Sequence, residues 1–105
     1  MSLPTNADKQ ALAKAIEQRI LTGPGLASQE LRAKAFANRD LPEPVATLLD
    51  KVAKRSFQVT DDDFGAALSA GFTEDQLFEL VICAAVGESN RFYQAGLAAL
   101  MEAAG

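Results

Sequence analysis

The chain has 105 residues, of which 49% are hydrophobic and 23% charged, and its formal net charge is -4. These values suit one soluble globular domain rather than a disordered chain, and the negative charge opposes binding to phosphate backbones and anionic lipid. Histidine is absent and Cys83 is the only cysteine, which excludes a Ser/His or Cys/His nucleophile pair, a two-histidine metal site, an internal disulfide and a Cys-x-x-Cys redox centre.

Twenty alanines and only four prolines favour helix, and no alternating run makes a convincing strand. The expected class is all-α, with about five helices in a single domain. The longest uninterrupted apolar run, Leu80 to Val86, falls far short of the ~20 residues of a bilayer span. No basic region followed by an apolar stretch opens the chain, so the expected compartment is cytoplasmic.

Thr5 to Leu21 reads as a first helix, capped by Thr5 or Asn6, with Leu12, Ile16 and Ile20 along one stripe. Thr22-Gly23-Pro24-Gly25 ends it. Ser28 caps a second helix to about Asn38, with Leu31, Ala35 and Phe36 facing inward. Leu41-Pro42-Glu43-Pro44 breaks the chain and starts a third, whose Val45, Leu48, Leu49, Val52 and Ser56 predict one buried face to about Phe57. Thr60 with Asp63 forms an acidic capping box, and Val59 with Phe64 a hydrophobic staple across it. Thr73 with Gln76, and Phe72 with Leu77, repeat both devices. Gly71 suits the left-handed residue between the two. Helices are therefore expected over about 61–70 and 74–103. The last is apolar nearly all round from Leu77 to Val86 and needs covering on several sides, by its own domain or another subunit. Gly87-Glu88-Ser89-Asn90 can kink or split it.

Several residue groups can carry chemistry. Ala67, Gly71 and Leu77 have the spacing of a helix-turn-helix motif, but that geometry recurs in helical pairs that bind no DNA. Here the flanking residues are Asp61, Asp62, Asp63, Glu74, Asp75 and Glu79, with no Arg or Lys until Arg91, whereas DNA affinity rests on phosphate neutralisation. Lys51, Lys54 and Arg55 form a basic cluster that reads as a solvated face paired with carboxylates. Asp61 to Asp63 point in different directions on a first turn and serve the helix dipole there; no metal or cofactor is expected. Cys83, among apolar neighbours and one turn from Glu79, reads as an inert core thiol. Glu79 interrupts an apolar face, and Arg91 lies three turns further along. A buried, unpaired Glu79 would have the raised pKa of a general acid or base; at a solvent or subunit edge, or tied to an arginine, it would not. Arg91 with Tyr93 can hold a small carboxylate ligand.

From about Leu41 to Leu100 the order of features resembles the alkylhydroperoxidase D-like, or carboxymuconolactone decarboxylase, superfamily. The residues that carry it are Ala67-Leu68-Ser69-Ala70-Gly71-Phe72-Thr73-Glu74-Asp75-Gln76-Leu77-Phe78-Glu79, which look like that family's ALxxGxTxEEIxE segment. The resemblance implies an all-α subunit whose helices interlock in homo-oligomers, with N-terminal helices over about 5–38 and the family core over about 41–103. Redox members carry a glutamate, a Cys-x-x-Cys pair and a histidine. Counting back from Gly71 puts Asp63 at the histidine position and Val59 and Ser56 at the cysteines. The glutamate position falls near Pro44, with Glu43 one place off. Disulfide exchange needs two thiols, so peroxidase activity does not carry over.

Three readings follow. The first is a non-redox member of that superfamily forming a homo-oligomer, in a binding or structural role that admits a small-molecule ligand but no nucleic acid and no membrane. The second is a cofactor-independent enzyme on a small carboxylic acid or lactone, with Glu43, Asp63, Glu79 and Arg91 as candidate groups at a subunit boundary. The third is a helix-turn-helix DNA-binding module.

Overall fold

A computed structural model of the chain describes Leu3 and residues 5–104. Among them the only regular elements are helices: α1 (Asn6–Thr22), α2 (Gln29–Ala37), α3 (Val45–Lys54), α4 (Asp61–Ser69) and α5 (Glu74–Ala104), with a 3-10 turn at Ser56–Gln58. The all-α expectation holds.

Helix starts follow local capping chemistry. Thr60 and Asp63 form the expected reciprocal box, and Thr73 and Gln76 exchange the same pair of bonds ahead of α5. Ser28 caps α2 through the Leu31 N–H. A third box starts α1, where the expected cap Thr5 is joined by Asp8. Gly71 adopts φ +106°, so the α4–α5 turn closes at a conformation glycine takes without a Cβ penalty. α3 ends at Lys54, three residues short of its expected limit, and the chain tightens into the 3-10 turn. α5 is one helix through Gly87-Glu88-Ser89-Asn90, so the split that these residues could have made does not occur.

α5 is the spine, and α2 runs alongside it in the same direction. Leu26 and Ala27, which lead into α2, meet α5 at Glu79, whereas Phe36 near its end meets Gly87 and Arg91. α3 packs on the adjoining face of α5 and carries α4. The core gathers Ala27, Ala35, Val45, Leu48, Leu49, Ala67, Leu77, Leu80, Cys83 and Ala84. Each of the four leucines contributes about 1.5–3 kcal/mol by leaving water. Gly87 is buried because α2 presses on it: a methyl group there would overlap the Phe36 carbonyl.

Two expected apolar surfaces are uncovered. Leu12 and Ile16 on α1 are 64% and 46% exposed, and only Ile20 of that stripe reaches the core. α5 is buried on one side from Leu77 to Gly87, but from Arg91 to Ala104 every residue except the half-buried Leu97 is exposed. A helix of 31 residues is about 46 Å long, nearly the full 49 Å of the molecule, and its last turns extend along the surface.

Candidate functional site

Glu79 stands in the second turn of α5, half-buried against the α1–α2 connection. Its carboxylate accepts the Leu26 N–H at 2.8 and 3.0 Å and the Ala27 N–H at 2.6 Å. Gly25 permits this approach, since a Cβ there would lie 2.7 Å from Oε1. The two backbone donors, with a smaller attraction from Arg32, hold its pKa below the usual 4.5. That is the reverse of what a general acid at neutral pH requires.

Arg32 is the residue the sequence analysis missed. It is 5% exposed, and Nη1 donates to the carbonyls of Ile20 and Gly23 at 3.1 and 2.7 Å. The guanidinium thereby closes the carbonyl end of α1, where a cation also meets the negative end of the helix dipole. A signal was present: Arg32 falls on the α2 face that includes Ala35, and the Gly23-Pro24-Gly25 break leaves carbonyls without partners. Cys83 is buried beside this group, its Sγ 3.9 Å from the Ile20 carbonyl. Desolvation pushes its pKa up to about 11, opposed by Arg32 and reinforced by Glu79. The thiol is protonated at neutral pH and has little nucleophilic character.

The other candidates are similarly committed. Asp63 accepts Lys51 Nζ at 2.9 and 3.1 Å and the Thr60 N–H at 2.9 Å; the lysine bond, then the backbone bond, lowers its pKa. Glu43 accepts the N–H and hydroxyl of Thr47 at 2.8–2.9 Å and so caps the start of α3. Arg91 donates to the Phe36 carbonyl at the end of α2 and to Glu88 at 2.9 Å. Glu79 and Arg91 thus serve opposite ends of α2, a carboxylate at its positive pole and a guanidinium at its negative pole. They are twelve residues, or about 18 Å, apart along α5, too far to share a small ligand. Lys54 and Arg55 share Asp50 at 3.8 and 3.1 Å, so each member of the basic cluster is paired with a carboxylate. Ser56 is exposed in the 3-10 turn, and Val59 packs on the core. Among the described residues no three acidic or thiol side chains converge as metal ligands, and no helix is long and apolar enough to cross a membrane.

Two grooves flank the outward side of α5, and neither is lined by Glu43, Asp63, Glu79 or Arg91. The larger, about 700 Å³, lies between α1 and α5 over Ile16, Phe36, Val86 and Tyr93, with Lys9 and Lys14 on its rim. The smaller, about 470 Å³, lies between α3 and α5 and is lined by Val52, Ala53, Ala85, Ser89 and Phe92 together with the charged Lys54 and Glu88. Phe92 is 81% exposed, and Phe78, Leu100 and Met101 are 66–67% exposed. A helix normally turns charge, not aromatic rings, toward water. The candidate site is therefore this exposed apolar side of α5. Comparison with protein-family models, with curated proteins and with solved structures yields no match to this chain.

Proposed function

We propose that the protein is a non-redox helical subunit of the alkylhydroperoxidase D-like type, acting as a homo-oligomer in a binding or structural role. The observation that carries this reading is the exposed apolar side of α5, above all Phe92 at 81%. Exposed apolar patches of several hundred Å² mark interaction surfaces. The positions of the family's thiols and imidazole hold Ser56, Val59 and Asp63, which leaves the scaffold and its surfaces as the working parts. Both grooves adjoin the same side of α5, so a second subunit seated there would roof them and convert open furrows into ligand-sized spaces.

The enzymatic alternative loses its candidate groups, since Glu43, Asp63, Glu79 and Arg91 each hold a backbone or ion-pair partner in a separate place. The DNA-binding alternative is opposed by Glu74 and Asp75 in the first turn of α5. Size-exclusion chromatography with light scattering tests the proposal. A dimer or higher species at micromolar concentration is expected, and a monodisperse monomer overturns it.

A further inference from the structure

Along the outward side of α5 from Phe78 to Ala103, every residue at alternating spacings of four and three is uncharged: Phe78, Ile82, Ala85, Ser89, Phe92, Gly96, Ala99 and Ala103. This is the spacing of a coiled-coil seam. It lies opposite the buried Leu77, Leu80, Cys83, Ala84 and Gly87, and all eight residues are exposed except the half-buried Ile82. The seam is built from three large side chains and five small ones, and their order decides which partner fits.

Pairing two copies in parallel would set Phe78, Ile82 and Phe92 each against itself and leave Gly96, Ala99 and Ala103 facing gaps. Antiparallel pairing about a point between Asn90 and Arg91 does the opposite. Phe78 then faces Ala103, Ile82 faces Ala99, Phe92 faces Ser89, and Ala85 faces Gly96. Every bulky residue meets a small one, as interdigitated packing demands. Shifting the antiparallel register by one heptad toward the start of α5 sets Ile82 against Phe92, two bulky residues in one layer. In the favoured register Phe92 of each copy enters beside the other's Ser89, into the groove that also exposes Val52, Ala53 and Ala85.

The area is sufficient. Phe78, Phe92, Tyr93 and Leu100, which share this side of α5, expose on the order of 500 Å², given the surface of full aromatic side chains. The small residues between them bring the strip near the roughly 800 Å² per partner of a standard interface. The geometry points to a two-fold homodimer in which the α5 helices of two copies lie antiparallel, with Phe92 of each seated over Ser89 of the other. This rests on the homo-oligomer reading and names its interface.

Cysteine cross-linking distinguishes the arrangements, because the native Cys83 is buried and protonated. Ala85→Cys and Gly96→Cys are made singly and together, then oxidised mildly. In the antiparallel seam the double variant becomes a covalent dimer while neither single variant does. Cross-linking of either single variant means a parallel pair and overturns the inference. If the wild type sizes as a dimer but no variant cross-links, the interface is elsewhere: the inference fails and the homo-oligomer stands. A wild-type monomer removes both. As a second measure, Phe92→Asp should keep its helical circular dichroism and raise the dimer Kd at least about 30-fold, the effect of losing a central anchor. An unchanged Kd overturns the inference.

Discussion

Glu79 contributes to the fold by joining residues 53 positions apart, and its effect depends on its being ionised. Glu79→Gln keeps the size but loses the charge and turns an amide N–H₂ toward a backbone donor. The expected loss is about 1–2 kcal/mol, the lower part of the range for bonds to charged groups because the carboxylate is only half-buried. Urea titration at pH 7 checks it, and a loss below 0.5 kcal/mol would show that the bonds add nothing net. The pH dependence has a definite sign. The folded pKa lies below the usual 4.5, so the stabilisation is complete above the unfolded value and disappears as pH falls through the folded value. Asp8, Asp50 and Asp63 are also lowered, so acid weakens the wild type through several groups. The gap between wild type and Glu79→Gln should close below pH 4.5, isolating this one carboxylate. Cys83 gives a second residue-scale prediction. With its pKa raised to about 11 and the side chain 1% exposed, thiol reagents should label it slowly at pH 7 and rapidly only after unfolding. Fast native labelling would mean that the α1–α2 layer opens readily.

At the scale of elements, the contact of α2 with α5 depends on Gly87. Gly87→Ala would raise helix propensity by up to about 1 kcal/mol on an exposed surface. Here the added methyl collides with the Phe36 carbonyl, and backbone cannot rotate aside as a side chain can. A net destabilisation of about 1–3 kcal/mol is expected, read by thermal or urea unfolding; a stabilised variant would mean that α2 does not sit on α5 as described. This contact also marks the limit of what the chain discloses before folding. The capping boxes at Thr60 and Thr73 and the turn at Gly71 are legible because their partners lie within three residues. The inward face of α3 is legible because Val45, Leu48 and Leu49 repeat at helical spacing. Gly87, by contrast, reads as a kink, since its reason lies fifty residues away in Phe36. The same holds at the candidate site. Glu79 and Arg91 stand out as charges in an apolar helix, but only the packing of α2 shows that they hold its two ends. Arg32 looks like an ordinary surface arginine until the broken end of α1 folds over it. The outward seam of α5 was written in the sequence throughout. The nearly all-round apolar character of residues 77–86 hides it, because the inward and outward stripes overlap there until burial separates them.

For the whole molecule, stability and association are expected to be linked. One copy leaves Phe78, Phe92 and Leu100 in water, and burying them in a dimer stabilises the folded state by mass action. The Tm should therefore rise with protein concentration. Two-state unfolding of a dimer to separated chains involves one bimolecular step, so each tenfold increase in concentration adds about 1.4 kcal/mol per dimer. With an unfolding entropy near 2.1 cal/mol/K per residue, over the 210 residues of two 105-residue chains that corresponds to a rise of roughly 3 °C. Scanning calorimetry between about 5 and 500 μM would show a shift of about 6 °C across the two decades. Phe92→Asp should lose this dependence while unfolding cooperatively, because the core of Leu48, Leu49, Leu77 and Leu80 is internal to one chain. A wild-type Tm independent of concentration would mean either a solitary subunit or a dimer that unfolds only after separating. Sizing at the same concentrations tells those two apart, since only the second elutes as a dimer before heating.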